Sequence, residues 1–216
     1  MTGLSPLAIS ALALLAEAEM HPYEMYQLML RRREDRVLKV SAGSLYRAVE
    51  RLAADGLIES CGVERSGHRP ERTVYAITDA GRQALRQSLA EMLGEYVNEY
   101  PRFPVAIREA RNLPAPIVAR LLRERLAKVD AAIRMLDTSL ERIAAKELAR
   151  HFVLDVHYTR AMLEAESSWI GQTIGQLEAG ELTWPAPTAS GAPAGLHSAG
   201  AAFPDPDASP PPTDGR

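Results

Sequence analysis

Helix starts crowd the N-terminal part of the chain and leave room only for short elements. Ser5-Pro6 combines an N-cap hydroxyl with a proline at the first helical position, where a missing N–H costs nothing. Leu7, Leu12, Leu14 and Leu15 follow in an Ala-rich run that ends near Glu19. His21-Pro22 restarts a helix with Met25, Leu28 and Met29 on its buried side. That helix ends in Arg31-Arg32-Arg33, cations where the helix dipole favours them. Ser41 caps a third helix, on which Leu45, Ala48, Val49 and Leu52 form a single apolar stripe at i, i+3, i+4 and i+7. Gly56 closes it just past the C-cap. Thr78 caps a fourth, with Asp79 in its first turn and Leu85, Leu89, Met92 and Leu93 along its apolar side.

Between the third and fourth helices the pattern becomes extended. Leu57 to Val63 reads as a strand, and Thr73-Val74-Tyr75-Ala76-Ile77 is a β-branched and aromatic run that reads as its partner. Arg65-Ser66-Gly67-His68-Arg69-Pro70 joins them as a turn-rich, cationic tip. Three short helices followed by such a hairpin form a winged helix-turn-helix, whose third helix fits the ~12 Å major groove of DNA. The outward side of that helix carries Gly43, Ser44, Arg47, Glu50 and Arg51, with Tyr46 at its margin, so it offers donors and little bulk. Ser41, Gly43, Ser44, Tyr46, Arg47 and Arg51 are therefore the candidate DNA contacts of the helix, and His68, Arg69 and Arg72 those of the wing. Arg47 and Arg51 suit base edges or phosphates, and the wing suits the backbone or the adjacent minor groove. Two arginines outside an amphipathic helix are by themselves ordinary solvated surface. Their combination with capped helices, hairpin and basic tip points to DNA.

The same segments carry a resemblance. His21-Pro22-Tyr23-Glu24-Met25, the run from Gly43 to Leu52, Asp55-Gly56-Leu57-Ile58-Glu59, the run from Arg69 to Tyr75 and Thr78-Asp79-Ala80-Gly81-Arg82 are similar, in order and spacing, to the PadR family of transcriptional regulators. The similarity spans roughly residues 4–93. It implies a dimeric repressor with an N-terminal winged helix and a C-terminal helical dimerisation region. The second half is long enough to resemble the family's branch with a long C-terminal helical region. Family members often have Gly where this chain has Pro22, and proline fits a helix start equally well.

Pro101, Pro104, Pro114 and Pro116 interrupt any single long helix near the middle of the chain. Beyond Pro114 the apolar residues change to a heptad: Leu122, Leu126, Val129, Ile133, Leu136, Leu140 and Ile143 alternate at spacings of four and three. That seam is narrower than the face a helix shows a globular core, so it predicts helix-on-helix packing. A last helix is expected over residues 147–178, with Phe152, Val156, Leu163, Ile170 and Leu177 on one side and Tyr158, Met162, Ala165 and Trp169 on a second. A helix apolar on two sides needs two partners, its own chain and a second subunit. The seam together with Phe152, Val156, Leu163 and Ile170 is the expected dimer contact. An aspartate at Leu136 is accordingly expected to abolish the dimer. Two recognition helices about one DNA turn apart would read a pseudo-palindromic operator in double-stranded DNA.

His157, Tyr158, Met162 and Trp169 form a candidate pocket for a small hydrophobic or aromatic effector, with dimer core as the plainer reading. Cys61, the only cysteine, excludes an internal disulfide framework and reads as an inert small side chain rather than a redox switch. The histidines at 21, 68, 151, 157 and 197 lack metal-ligand spacing, so no metal and no cofactor are expected. No glycine-rich phosphate loop, nucleophile elbow or His-Glu-x-x-His appears, which argues against an enzyme.

Charge sharpens the division. The net charge of −3 argues against coating nucleic acid by bulk attraction. Up to residue 89, however, the chain carries 12 Lys+Arg against 11 Asp+Glu, and the remainder carries 13 against 17. No apolar stretch is long enough to span a membrane and no signal peptide is apparent, so a cytoplasmic protein is expected. Eight prolines among Ala, Gly and Ser between Trp184 and Arg216 predict a disordered tail. The expected fold is mainly α with a small β-hairpin wing. Residues 1–100 would be a winged helix-turn-helix, 101–183 a helical dimerisation and effector domain, and 184–216 the tail. The competing function is a helical interaction module that docks protein through the winged helix and tail.

Overall fold

A computed structural model of the chain describes residues 3–64, 72–146 and 148–185, with backbone alone at 63, 64 and 72. They divide into two compact units, one up to Glu99 and one from Tyr100. The fold is mostly helical with one two-stranded antiparallel sheet among the described residues.

The first unit runs α1 (Pro6–Glu17), α2 (Pro22–Arg31), α3 (Ala42–Ala54), β1 (Ile58–Glu64), β2 (Arg72–Ile77) and α4 (Asp79–Gly94). The three expected N-caps, Ser5, Ser41 and Thr78, are made, and His21 supplies a fourth. Ser5 Oγ accepts from the Ala8 amide at 3.2 Å and Thr78 Oγ1 from the Gly81 amide at 3.1 Å. His21 Nδ1 accepts from the Tyr23 amide at 3.0 Å, while the Glu24 carboxylate accepts from the His21 amide at 3.0 Å. These reciprocal bonds satisfy amides that a helix start otherwise leaves orphaned. One core gathers Leu12, Leu14 and Leu15 of α1, Met25 and Met29 of α2, and Leu45, Val49 and Leu52 of α3, all fully buried. Arg32, just past α2, donates two bonds of 2.6 and 2.7 Å to the Glu17 carboxylate at the end of α1. This fork holds Glu17 below the usual carboxylate range and Arg32 above the usual arginine range.

The hairpin pairs Ile58 with Ile77 and Ser60 with Tyr75, then shifts register so that Gly62 faces Val74. Cys61 is the extra residue of that bulge. It is exposed rather than tucked away, and its thiol donates to the Val74 carbonyl at 3.4 Å. Loss of hydration and then the Glu19 carboxylate raise its pKa. Met20 adds a short bridge to the sheet through two bonds of 3.2 Å with Tyr75, which ties the hairpin to the helices. The apolar side of α4 leaves the core early. Leu85 is buried, whereas Leu89, Met92 and Leu93 are exposed.

The second unit contains α5 (Arg102–Arg108), α6 (Ala115–Ala144) and α7 (Leu154–Glu178). The last helix starts later than the expected residue 147, because the chain must reverse after α6 and does so through a 3₁₀ turn at Arg150–Val153. Here the side of α6 that was expected at a dimer contact finds a partner within the chain. Leu122 packs with Ile170 and Ile174, and Leu136 with Val153 and Val156, so the heptad side of α6 lies antiparallel on α7 of the same chain. Leu122, Val129, Leu136, Val156 and Ile170 are buried in the single chain, and Leu126, Ile133, Leu140, Ile143 and Leu163 are partly buried. A 3.5-residue period asks only for a second helix, and the nearest one in sequence supplies it. Polar groups lace the pair: Arg125 to Glu166 at 2.5 Å, Arg160 to Asp137 at 2.5 Å, Ser167 to Asp130 at 2.7 Å, and Arg123 to Glu178.

Two substitutions test this packing. A Cβ at Gly81 would stand 2.0 Å from the Leu57 carbonyl oxygen, so Gly81→Ala forces α4 away from the segment that leads into β1. Urea unfolding should show a loss of about 1–3 kcal/mol; an unchanged midpoint would contradict the contact. Leu136→Asp should melt the α6–α7 pair, at a cost of roughly 3 kcal/mol or more, instead of merely separating subunits. A helical, fully stable monomer by circular dichroism and size-exclusion chromatography would restore the intersubunit seam.

Candidate nucleic-acid interface

The start of α3 is built by its serines. Ser41 Oγ accepts from the Ser44 amide and Ser44 Oγ from the Ser41 amide, each at 3.2 Å. The two hydroxyls also lie 2.7 Å apart, and that of Ser44 donates to the Ser41 carbonyl at 2.9 Å. These candidate contacts therefore hold the end of the helix. Gly43, exposed between them, adds no side chain at the helix tip. It is not required for space within the chain, since a Cβ there would meet only the Arg47 guanidinium at an ordinary 3.6 Å.

Burial of Leu45, Val49 and Leu52 turns the opposite side of α3 outward. There Arg47 and Arg51 are exposed one turn apart, and among the described residues neither makes an ion pair. Together with Ser5 and Asp55 they line a surface groove of about 380 Å³ between the start of α1 and α3. Tyr46 is 38% exposed and meets the His21 ring edge-on at 6.2 Å, which joins the side of α3 to the cap of α2. Tyr23 is also exposed on α2. The reading of the helix faces missed it as a contact candidate, although it stands in the His21-Pro22-Tyr23 motif. The wing candidates His68 and Arg69 lie outside the described residues, as does Arg65; Arg72 opens β2.

In the second unit, α5, α6, α7 and the segment after α7 line a half-open cavity of about 400 Å³. Of the four candidate pocket residues Trp169 lines it, while His157, Tyr158 and Met162 do not. Helical geometry explains the split. Tyr158 and Met162 stand on the outer side of α7, and the cavity lies near its C-terminal end. Phe103, Arg125 and Trp184 complete the cavity's aromatic and cationic lining and were not expected. Trp184 also corrects the start of the tail: it is partly buried, and its indole N–H donates to the Leu113 carbonyl at 2.8 Å. Residues 186–216 of that tail lie outside the described residues. The missed signal was a large aromatic at each proline-rich break, Phe103 beside Pro101 and Pro104, and Trp184 before Pro185.

No helix among the described residues is long and apolar enough to cross a membrane. Among the same residues, no cluster of three or more His, Cys, Asp or Glu could hold a metal ion.

Residues 11–87 match the family model described as "Transcriptional regulator PadR-like family". No curated protein matches the chain. The fold is similar to those of several solved structures. PadR of Bacillus subtilis in complex with operator DNA has a TM-score of 0.68 at 19% identity, covering 79% of this chain and 97% of that one. The same protein in complex with p-coumaric acid gives 0.65 at 18%, covering 80% and 98%. The virulence activator AphA of Vibrio cholerae gives 0.59 at 19%, covering 81% and 99%.

Proposed function

We propose that the chain, whose residues 11–87 match the PadR-like transcriptional regulator family, is a sequence-specific DNA-binding regulator that acts as a homodimeric repressor released by a small-molecule signal. The observation that carries this reading is the outward side of α3, with two exposed guanidinium groups lacking ion-pair partners among the described residues. Charges kept without internal partners are available to phosphates and base edges. Arg47 and Arg51 read the major groove from α3, with Tyr46 beside them, Gly43 admitting the duplex, and Ser41 and Ser44 fixing the helix end. His68, Arg69 and Arg72 of the wing hold the DNA backbone. That a protein of similar fold, PadR of Bacillus subtilis, is known in complex with operator DNA supports a DNA-binding role.

The dimer uses the outer side of α7. Tyr158 is 68% exposed and Met162 53% exposed, with Phe152 and Trp169 also exposed on the same helical hairpin. Residues 101–183 thus provide the dimer and signal-sensing part, and residues 1–100 the DNA-reading part. Two copies of α3 about one DNA turn apart suit a pseudo-palindromic operator. A ligand that prefers the other spacing releases the DNA, by no more than its difference in affinity for the two states.

Mobility shifts at several salt concentrations test the reading. Affinity should fall with a log–log slope near ~0.9 per phosphate contacted; an affinity indifferent to salt would sink it. Arg47→Ala and Arg51→Ala should each cost about 1–3 kcal/mol at the base that arginine reads. Arg69→Ala should weaken all sequences about equally, and a changed sequence preference would mean that the wing reads bases. For the dimer, the Tyr158→Arg, Met162→Arg double variant should yield a folded monomer by light scattering. A dimer of unchanged stability would remove α7 from the interface.

A further inference from the structure

We propose that the cavity within the C-terminal unit is a ligand site for a flat, uncharged aromatic molecule bearing one hydrogen-bond acceptor, and that Glu166 sets this selectivity by neutralising Arg125. The site's role as the signal input rests on the regulator reading above; its chemistry does not. Both tryptophans of the chain, Trp169 and Trp184, stand at this one cavity together with Phe103. Phe103 meets Trp169 edge-on, with centroids 6.3 Å apart and planes at 86°. The remaining wall is largely aliphatic, supplied by residues such as Leu113, Val118 and Leu122. A volume of about 400 Å³ lies within the range of small-molecule pockets and accommodates a fused two- or three-ring system. Aromatic walls favour a flat occupant, because stacked and edge-on contacts add to the area buried.

Arg125 decides the polarity of that occupant. Its guanidinium carbon sits 3.6 Å from the Phe103 ring centroid, and its Nε donates to Glu166 at 2.5 Å. Among the described residues nothing accepts from its two terminal nitrogens. The other polar groups at the wall are committed: Thr173 donates to the Trp169 carbonyl at 2.8 Å, and the Trp184 indole donates to Leu113. The cavity therefore offers donors but no net positive charge. A carboxylate placed against Arg125 would share one guanidinium with Glu166, and two like charges there cost more than the added hydrogen bond returns. A carbonyl or amide oxygen meets the same donors without that repulsion.

The experiment is calorimetric titration of the full chain with 2-naphthamide and with its near-isostere 2-naphthoate at neutral pH. The amide should bind saturably, one per chain, at least about tenfold tighter than the acid. Glu166→Gln should reverse the order by strengthening the acid at least about tenfold, with the amide changed by less than about twofold. Ala106→Trp, which fills the cavity from an exposed position of α5, should abolish binding of both without lowering the melting temperature. Equal or tighter binding of the acid by the unaltered chain would overturn the proposal, as would retained binding in the filled variant. No heat with either compound from a folded dimer, the result if a second copy's side chains fill the cavity, would also overturn it. Parallel mobility shifts separate the two readings. DNA binding without ligand binding sinks the site alone, and ligand binding without DNA binding sinks the regulator reading alone.

Discussion

Burial of Leu45, Val49 and Leu52 against α1 and α2 is the contact on which the first unit depends. Each fully buried aliphatic side chain contributes about 1.5–3 kcal/mol. The more consequential effect is rotational: with that stripe inward, a helix has no freedom in which residues it shows outward. Arg47 and Arg51 are exposed because Leu45 and Val49 are not. The serine capping box then sets where the helix begins, and Thr78 and Gly81 lock α4 onto the strand that follows. The outward surface is the by-product of a core.

The second unit solves a different problem with the same physics. A seam of period 3.5 must be covered by a helix, and α7 folds back to cover it, laced by Arg125–Glu166, Arg160–Asp137 and Ser167–Asp130. Partly exposed pairs of this kind contribute little stability singly, but they fix which residues of two long helices face one another. Once one side of α7 is used in this way, Tyr158 and Met162 remain exposed on another. Exposed apolar rows of this kind are typical of interaction surfaces.

The cleft of the second unit is lined by residues of α5, α6, α7 and the segment ending at Trp184. Filling it adds contacts to four segments at once.

The helix caps, the hairpin and the outward face of α3 were legible from the residues, because capping and amphipathic periodicity are local and each spans only a turn or two. Ser41, Gly56 and Thr78 did in the structure what their chemistry alone requires. The partner of the heptad seam was not legible. Periodicity states that Leu122, Val129 and Leu136 need a second helix, yet it does not say from which chain, and the tertiary structure decided for the same one. Nor could the sequence bring Phe103, Arg125, Trp169 and Trp184 together, since residues so far apart share a cavity only once the hairpin has set their distances. Local free energies are written in neighbouring residues. Which apolar surface is covered, and by what, is decided only when the whole unit closes.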